Sequence, residues 1–209
     1  MAIISNGTTI ADAGAFSANL GSQVLIKTLT ASSSGTLSFV HGSSNVVLNN
    51  TYPIYLIKFI NIHPSTEAKF RFQASSNTGS SYGIAATTTN IQTYHVEDDE
   101  YTGFEYNSSY DHAQDTGFLY LSAQGIDDVN DSSMSGEIFL FNPSSTTFVK
   151  HYIATATHMA DNNAGDGHTW TNHTAGYFNT TSAIDAIQFK MDSGNIDSGT
   201  IKLYGIKDS

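Results

Sequence analysis

Three groups of side chains in this sequence have the types that site chemistry needs. His158, Asp161, Asp166, His168 and His173 crowd the stretch 158–173. Imidazole with carboxylate suits zinc or another transition metal. Their spacing follows neither an H-E-x-x-H pattern nor a facial triad, so they read as ordinary loop residues. Asp127, Asp128 and Asp131 have the density of a calcium loop. They lack the D-x-[DN]-x-[DN]-G order and the distal Glu, and read as a solvated turn. Glu97, Asp98, Asp99 and Glu100 form the densest acidic run. A glycosidase needs two carboxylates facing each other across a cleft. Successive strand residues point to opposite faces, so this run alone supplies no such pair.

The sequence has no G-x-S-x-G elbow, no P-loop and no G-x-G-x-x-G, and it contains no Cys to act as a thiol nucleophile or thiolate ligand. No catalytic residue, metal site or cofactor is therefore expected, and the chain does not read as an enzyme. The residues that stand out are suited to contact. Trp170, with Tyr101, Phe104, Tyr106 and Tyr110, supplies aromatic rings that stack on sugars or anchor a subunit interface. In residues 1–22, Ile3, Ile4, Ile10, Phe16 and Leu20 stand isolated among Gly, Ala, Ser and Asn. That pattern fits an extended N-terminal arm that gains order on a neighbouring subunit.

The elements that must position these residues are strands. Val24–Thr30 (VLIKTLT) and Thr36–His41 (TLSFVH) flank a Ser-rich turn and predict a hairpin. Ile54–Ile62 is the most apolar run and predicts a central strand. Ala68–Ala74 places Phe70 and Phe72 on one face and Lys69, Arg71 and Gln73 on the other. Tyr82–Tyr94 and Gly117–Ala123 also read as strands. Gly136–Phe141 and Thr147–Ala156 predict a hairpin around Asn142–Thr146. At the C-terminal end, Thr200–Ile206 sets Ile201, Leu203 and Gly205 against Lys202, Tyr204 and Ile206. Residues 95–116 and 158–173 break the rhythm and read as two long loops. No stretch has useful helical periodicity. The expectation is an all-β, two-sheet β-sandwich, jelly-roll-like, over residues 23–209, preceded by the arm 1–22.

Charge narrows the partners. The chain has 209 residues, with 8 Lys and Arg against 19 Asp and Glu, a formal net charge of −11. Such a surface repels nucleic acid and anionic lipid. No apolar run approaches a membrane span, and the opening residues lack a basic, apolar leader pattern, so neither a membrane nor a secretory signal is expected. About a third of the chain is Ser, Thr or Asn, which suits turns and β-edges.

The segment YLIKFINIHPSTEAKFRFQASSNTGSSYG (Tyr55–Gly83) resembles one found in small structural proteins of tailed bacteriophages, especially marine ones. So do FNPSSTTFVKHYIAT (Phe141–Thr155) and AGYFNTTSAIDAIQFKMDSGNIDSGTIKLYGI (Ala175–Ile206). Together the similarity covers most of residues 24–206 and carries no catalytic residue with it. The resemblance implies a virion structural protein, assembled in the host cytoplasm and placed on the outer surface of the phage head as a decoration or cement protein. Its implied partners are the major capsid protein and copies of itself, as a homotrimer. The alternative is a tail or fibre component that binds host-surface glycan.

If the acidic and His-rich stretches are not metal sites, melting should be insensitive to EDTA. A thermal melt with and without chelator checks this; a fall in Tm that calcium or zinc reverses would identify a site.

Overall fold

The structure is a computed structural model that describes residues 3–5, 8–12, 15–16, 22–161 and 167–207. Sixteen strands follow in chain order: β1 (Ile3–Ser5), β2 (Thr8–Asp12), β3 (Ala15–Phe16), β4 (Gln23–Thr30), β5 (Leu37–Val40), β6 (Ile54–Pro64), β7 (Phe70–Ser75), β8 (Ala86–Val96), β9 (Thr102–Tyr106), β10 (Ala113–Asp115), β11 (Leu119–Tyr120), β12 (Met134–Phe141), β13 (Lys150–Asp161), β14 (Gly167–Phe178), β15 (Ala186–Met191) and β16 (Ile196–Ile206). There is no helix among the described residues. The main sheet has nine strands in the order β10-β8-β14-β13-β12-β6-β16-β4, with β9 also paired to β8. A four-stranded sheet, β11-β7-β15-β5, packs against it, and β1-β2-β3 form a separate small sheet. The predicted all-β, two-sheet sandwich is the observed architecture.

The core is aromatic. Phe72 and Phe189 on the smaller sheet stack at 6.3 Å, and Phe70 stacks on Phe189 at 5.8 Å. From the larger sheet, Phe59 meets Phe70 edge-on at 5.5 Å and Tyr152 meets Phe72 at 5.1 Å. These edge-to-face pairs satisfy the ring quadrupoles while filling the space between the sheets. The predicted alternation holds in β7, where Phe70 and Phe72 are buried, and in β16, where Ile201, Leu203 and Gly205 are buried. The predicted central strand is β6, flanked by β12 and β16. The hairpin predicted around Asn142–Thr146 is β12–β13.

Gln73 departs from the expected pattern of a solvated polar face. It is fully buried, and its amide nitrogen donates to the carbonyls of Ile84, Thr116 and Gly117 at 3.3, 3.2 and 2.7 Å. The chain around Thr116 crosses over it, and a buried amide must find partners.

Three expectations of local structure are corrected. Val24–Thr30 and Thr36–His41 do not form a hairpin: β4 joins the nine-stranded sheet beside β16, and β5 joins the smaller sheet beside β15. The Ser-rich link carries the chain from one sheet to the other. It is held along β16 by the amides of Ala31, Ser33 and Ser34, which donate to Gly199, Asp197 and Ile196 at 2.8–2.9 Å. The stretch 95–116 is not one loop, because it contains β9 and β10, both paired to β8. Residues 158–173 are mostly strand. β13 and β14 stay in register from Lys150↔Phe178 to Asp161↔Gly167.

Sheet widths explain why those stretches looked unpatterned. Four strands cannot cover the inner face of nine. The β8–β14 side is covered instead by the largely irregular chain between β9 and β12, in which β10 and β11 are only three and two residues long. Irregular chain carries backbone groups that need partners when buried. The sheet supplies them from polar inward-facing side chains. Asn172 Oδ1 accepts from the Ala123 amide at 3.0 Å, Thr174 Oγ1 donates to the Tyr120 carbonyl at 3.2 Å, and Thr88 Oγ1 accepts from the His112 amide at 2.9 Å. Ser122 Oγ in turn accepts from the Phe70 amide at 2.9 Å.

Phe189 touches three rings from two strands, Phe39 of β5 and Phe70 and Phe72 of β7, and is fully buried. Phe189→Ala should lower the unfolding free energy by about 3–5 kcal/mol, measured by denaturant titration.

Candidate interaction face

The outer face of the nine-stranded sheet spans the widest sheet among the described residues, and strand register arranges its side chains in transverse rows. Residues directly paired in an antiparallel sheet project to the same side. One row runs Leu25, Tyr204, Leu56, Phe139, Ile153, Ala175 and Thr89 across β4, β16, β6, β12, β13, β14 and β8. Beside it lie Ile206, Ile54 and Phe141, in register across β16, β6 and β12, and the pair His151 and Tyr177 on β13 and β14. Leu25 and Ile153 are about half exposed, at 52% and 51%. Leu56 faces outward with them yet is buried, because Tyr204 and Phe139 flank it in register. Phe139 and Phe141 stack on the face with centroids 6.5 Å apart. Among the described residues, no strand of the smaller sheets pairs over these rows.

The next row is polar: Tyr106, Ile91, His173, Thr155, Glu137, Lys58, Lys202 and Thr28. Lys58 Nζ lies 3.8 Å from Glu137 Oε2. Beyond it runs a row headed by Phe104 and continued by the hydroxyls of Thr93, Thr171, Thr157 and Ser135. Shallow depressions of about 590, 480 and 470 Å³ follow these rows. The first lies between Lys58, Glu137 and Thr157, the second beside His95 and Glu97, and the third over Ile153 and Tyr177.

The aromatic residues singled out in the sequence divide. Tyr101, Phe104 and Tyr106 are exposed at 63%, 74% and 52% along the β9 edge, so they are free to meet a partner. The Tyr106 hydroxyl donates to Asp111 at 2.5 Å, which raises its pKa. Tyr110 and Trp170 are only half-buried and already engaged. Tyr110 packs on Tyr120 at 4.9 Å with Lys69 over its ring, and Trp170 packs on Tyr94 at 4.6 Å. Ile3 and Ile4 lie in β1, Ile10 in β2 and Phe16 in β3, whereas Leu20 falls outside the described residues. Sequence reasoning missed the sheet-face set of Leu25, Tyr204, Phe139 and Ile153. Its signal was there: apolar residues recur on both faces of β6 and β12.

Among the described residues, the candidate ligand clusters do not converge. His158 faces the interior and His173 faces outward from the adjacent strand, so the pleat keeps them from sharing an ion. Asp166 falls outside the described residues. Among the described residues, no group of three or more His, Asp or Glu side chains is placed to hold a metal. Glu97–Glu100 form the turn of the β8–β9 hairpin, closed by the Val96 amide donating to the Tyr101 carbonyl at 3.1 Å. His95 pairs with Asp99 at 2.9 Å across that turn. No protein-family model, curated protein or solved structure matches this chain.

His158 is 3% exposed and neither ring nitrogen has a hydrogen-bond partner among the described residues. Burial pushes its pKa down to about 4. Unfolded, the same imidazole takes up a proton near pH 6.5. Folding is therefore favoured above that pH, and this contribution is lost as pH falls through about 4, a swing of about 3 kcal/mol. His112 shifts in the same direction, chiefly through burial. Denaturant titrations between pH 7 and pH 4 should show His158→Leu flattening the loss of stability relative to wild type; parallel curves would refute the assignment.

Proposed function

We propose that this protein is a structural component of a bacteriophage virion, a decoration or cement protein on the outside of the head. The observation that carries this reading is the outer face of the nine-stranded sheet. Its two adjoining rows bring apolar and aromatic side chains together across several strands, with Leu25 and Ile153 each about half exposed. Contiguous apolar surface of that kind marks a protein contact. A capsid lattice offers such contacts, to the major capsid protein and to copies of this chain in a closed homo-oligomer, taken as a trimer by analogy with other head proteins. The net charge of −11 argues for the outer wall, away from packaged DNA. No catalytic role is assigned.

A second reading has its own support. Tyr101, Phe104 and Tyr106 line one exposed edge, a stacking surface suited to host glycan on a tail or fibre protein.

Antibody labelling of purified particles separates the two. The decoration reading expects label over the head, and heads stripped of the protein should rupture at lower temperature or osmotic stress. Label confined to the tail would overturn it in favour of the glycan reading. Head label with unchanged rupture would remove the cementing role.

A further inference from the structure

Lys58 and Lys202 stand directly opposite each other across β6 and β16, on the outer sheet face. Like charges paired in this way destabilise a sheet. Glu137 relieves Lys58 from the other side at 3.8 Å. No ion pair reaches Lys202 among the described residues. Nothing in the fold explains the pair, although the chain has more than twice as many acids as bases to place beside it. The lysines adjoin the apolar row at Tyr204, Leu56 and Phe139. The face thus offers two cations beside an apolar strip, a match for a partner with carboxylates beside exposed aromatic rings.

The same chain carries such a partner surface. The tip of the β8–β9 hairpin is Glu97–Glu100, four exposed acids in succession, followed by exposed Tyr101, Phe104 and Tyr106. It cannot reach its own lysines. Tyr106 and Lys202 lie in one row at strands β9 and β16, six strand steps of about 4.8 Å apart, or about 29 Å.

We propose that the β8–β9 hairpin of one copy docks on the outer sheet face of the next, its acids over Lys58 and Lys202 and its aromatic rings on the apolar strip. Two different patches then meet, either reciprocally about a twofold axis in a dimer or head to tail in a larger assembly. The head-to-tail form closes into a ring when the rotation allows. This inference deepens the assembly reading by naming what covers the sheet face, but it concerns self-association alone. The head-labelling experiment can succeed even if it fails.

The test is sedimentation of the full chain at low and high salt. Wild type should self-associate at micromolar concentration, more weakly in high salt. The face variant Lys58→Glu/Lys202→Glu and the tip variant Asp98→Lys/Glu100→Lys should each weaken association at least about tenfold. All four positions are exposed or half-buried, so circular dichroism should stay that of wild type. The variant carrying all four substitutions restores opposite charge across the contact and should recover the wild-type assembly. The proposal is overturned if folded wild type stays monomeric, if either double variant associates as wild type does, or if the fourfold variant remains dissociated. Capture of a different acidic protein on the sheet face by a monomeric chain would likewise count against a second copy as its occupant.

Discussion

The unequal widths of the two sheets govern this molecule. A nine-stranded sheet has an inner face that four strands only partly cover, and burying the remainder falls to irregular chain. Backbone groups in irregular chain cannot be buried without partners. The nine-stranded sheet is therefore apolar where it faces the smaller sheet, at Phe59, Ile138 and Leu203, and polar where it faces the covering segment, at Thr88, Asn172 and Thr174. The same division accounts for Gln73. It is buried on the smaller sheet because the crossing chain presents three carbonyls to it.

That arrangement leaves two kinds of buried polar group. Some are tied into the cover and hold it in place, as Asn172 and Ser122 do. Others lack a partner among the described residues, His158 most clearly. An imidazole in that position stays neutral, since charging it means desolvating a cation with no counter-charge. Lys150 is also buried, but its ammonium donates to the carbonyls of Phe148 and Thr180 at 2.7 and 3.0 Å, which pins two loops at one end of β13. Burial lowers its pKa without a carboxylate to oppose the shift.

The outer face follows a different logic. It carries Leu25, Tyr204, Leu56, Phe139 and Ile153 in adjacent strands, Leu25 and Ile153 about half exposed, and an in-register lysine pair. An isolated apolar residue on a surface needs no explanation, whereas a row of them across several strands does. Because an antiparallel sheet aligns paired residues on one side, a few apolar positions separated widely in the sequence become one continuous strip.

The sequence by itself determined the fold class and much of the core. Period-two alternation at Phe70 and Phe72, and again at Ile201 and Leu203, follows from strand geometry, which any local stretch of chain expresses. The lack of helical periodicity and of nucleophile motifs was equally local information. Tertiary structure decided which strands pair. The Ser-rich link after Thr30 has turn chemistry, but only the distant carbonyls of Ile196, Asp197 and Gly199 direct it from one sheet to the other. The stretches 95–116 and 158–173 looked like loops because their strands carry no continuous apolar stripe on either face. Their inner side chains serve backbone groups of a covering segment that no local pattern can reveal. The interaction face was hidden for the same reason. Leu25, Leu56, Phe139, Ile153 and Tyr204 become neighbours through register alone, and register is a property of the assembled sheet.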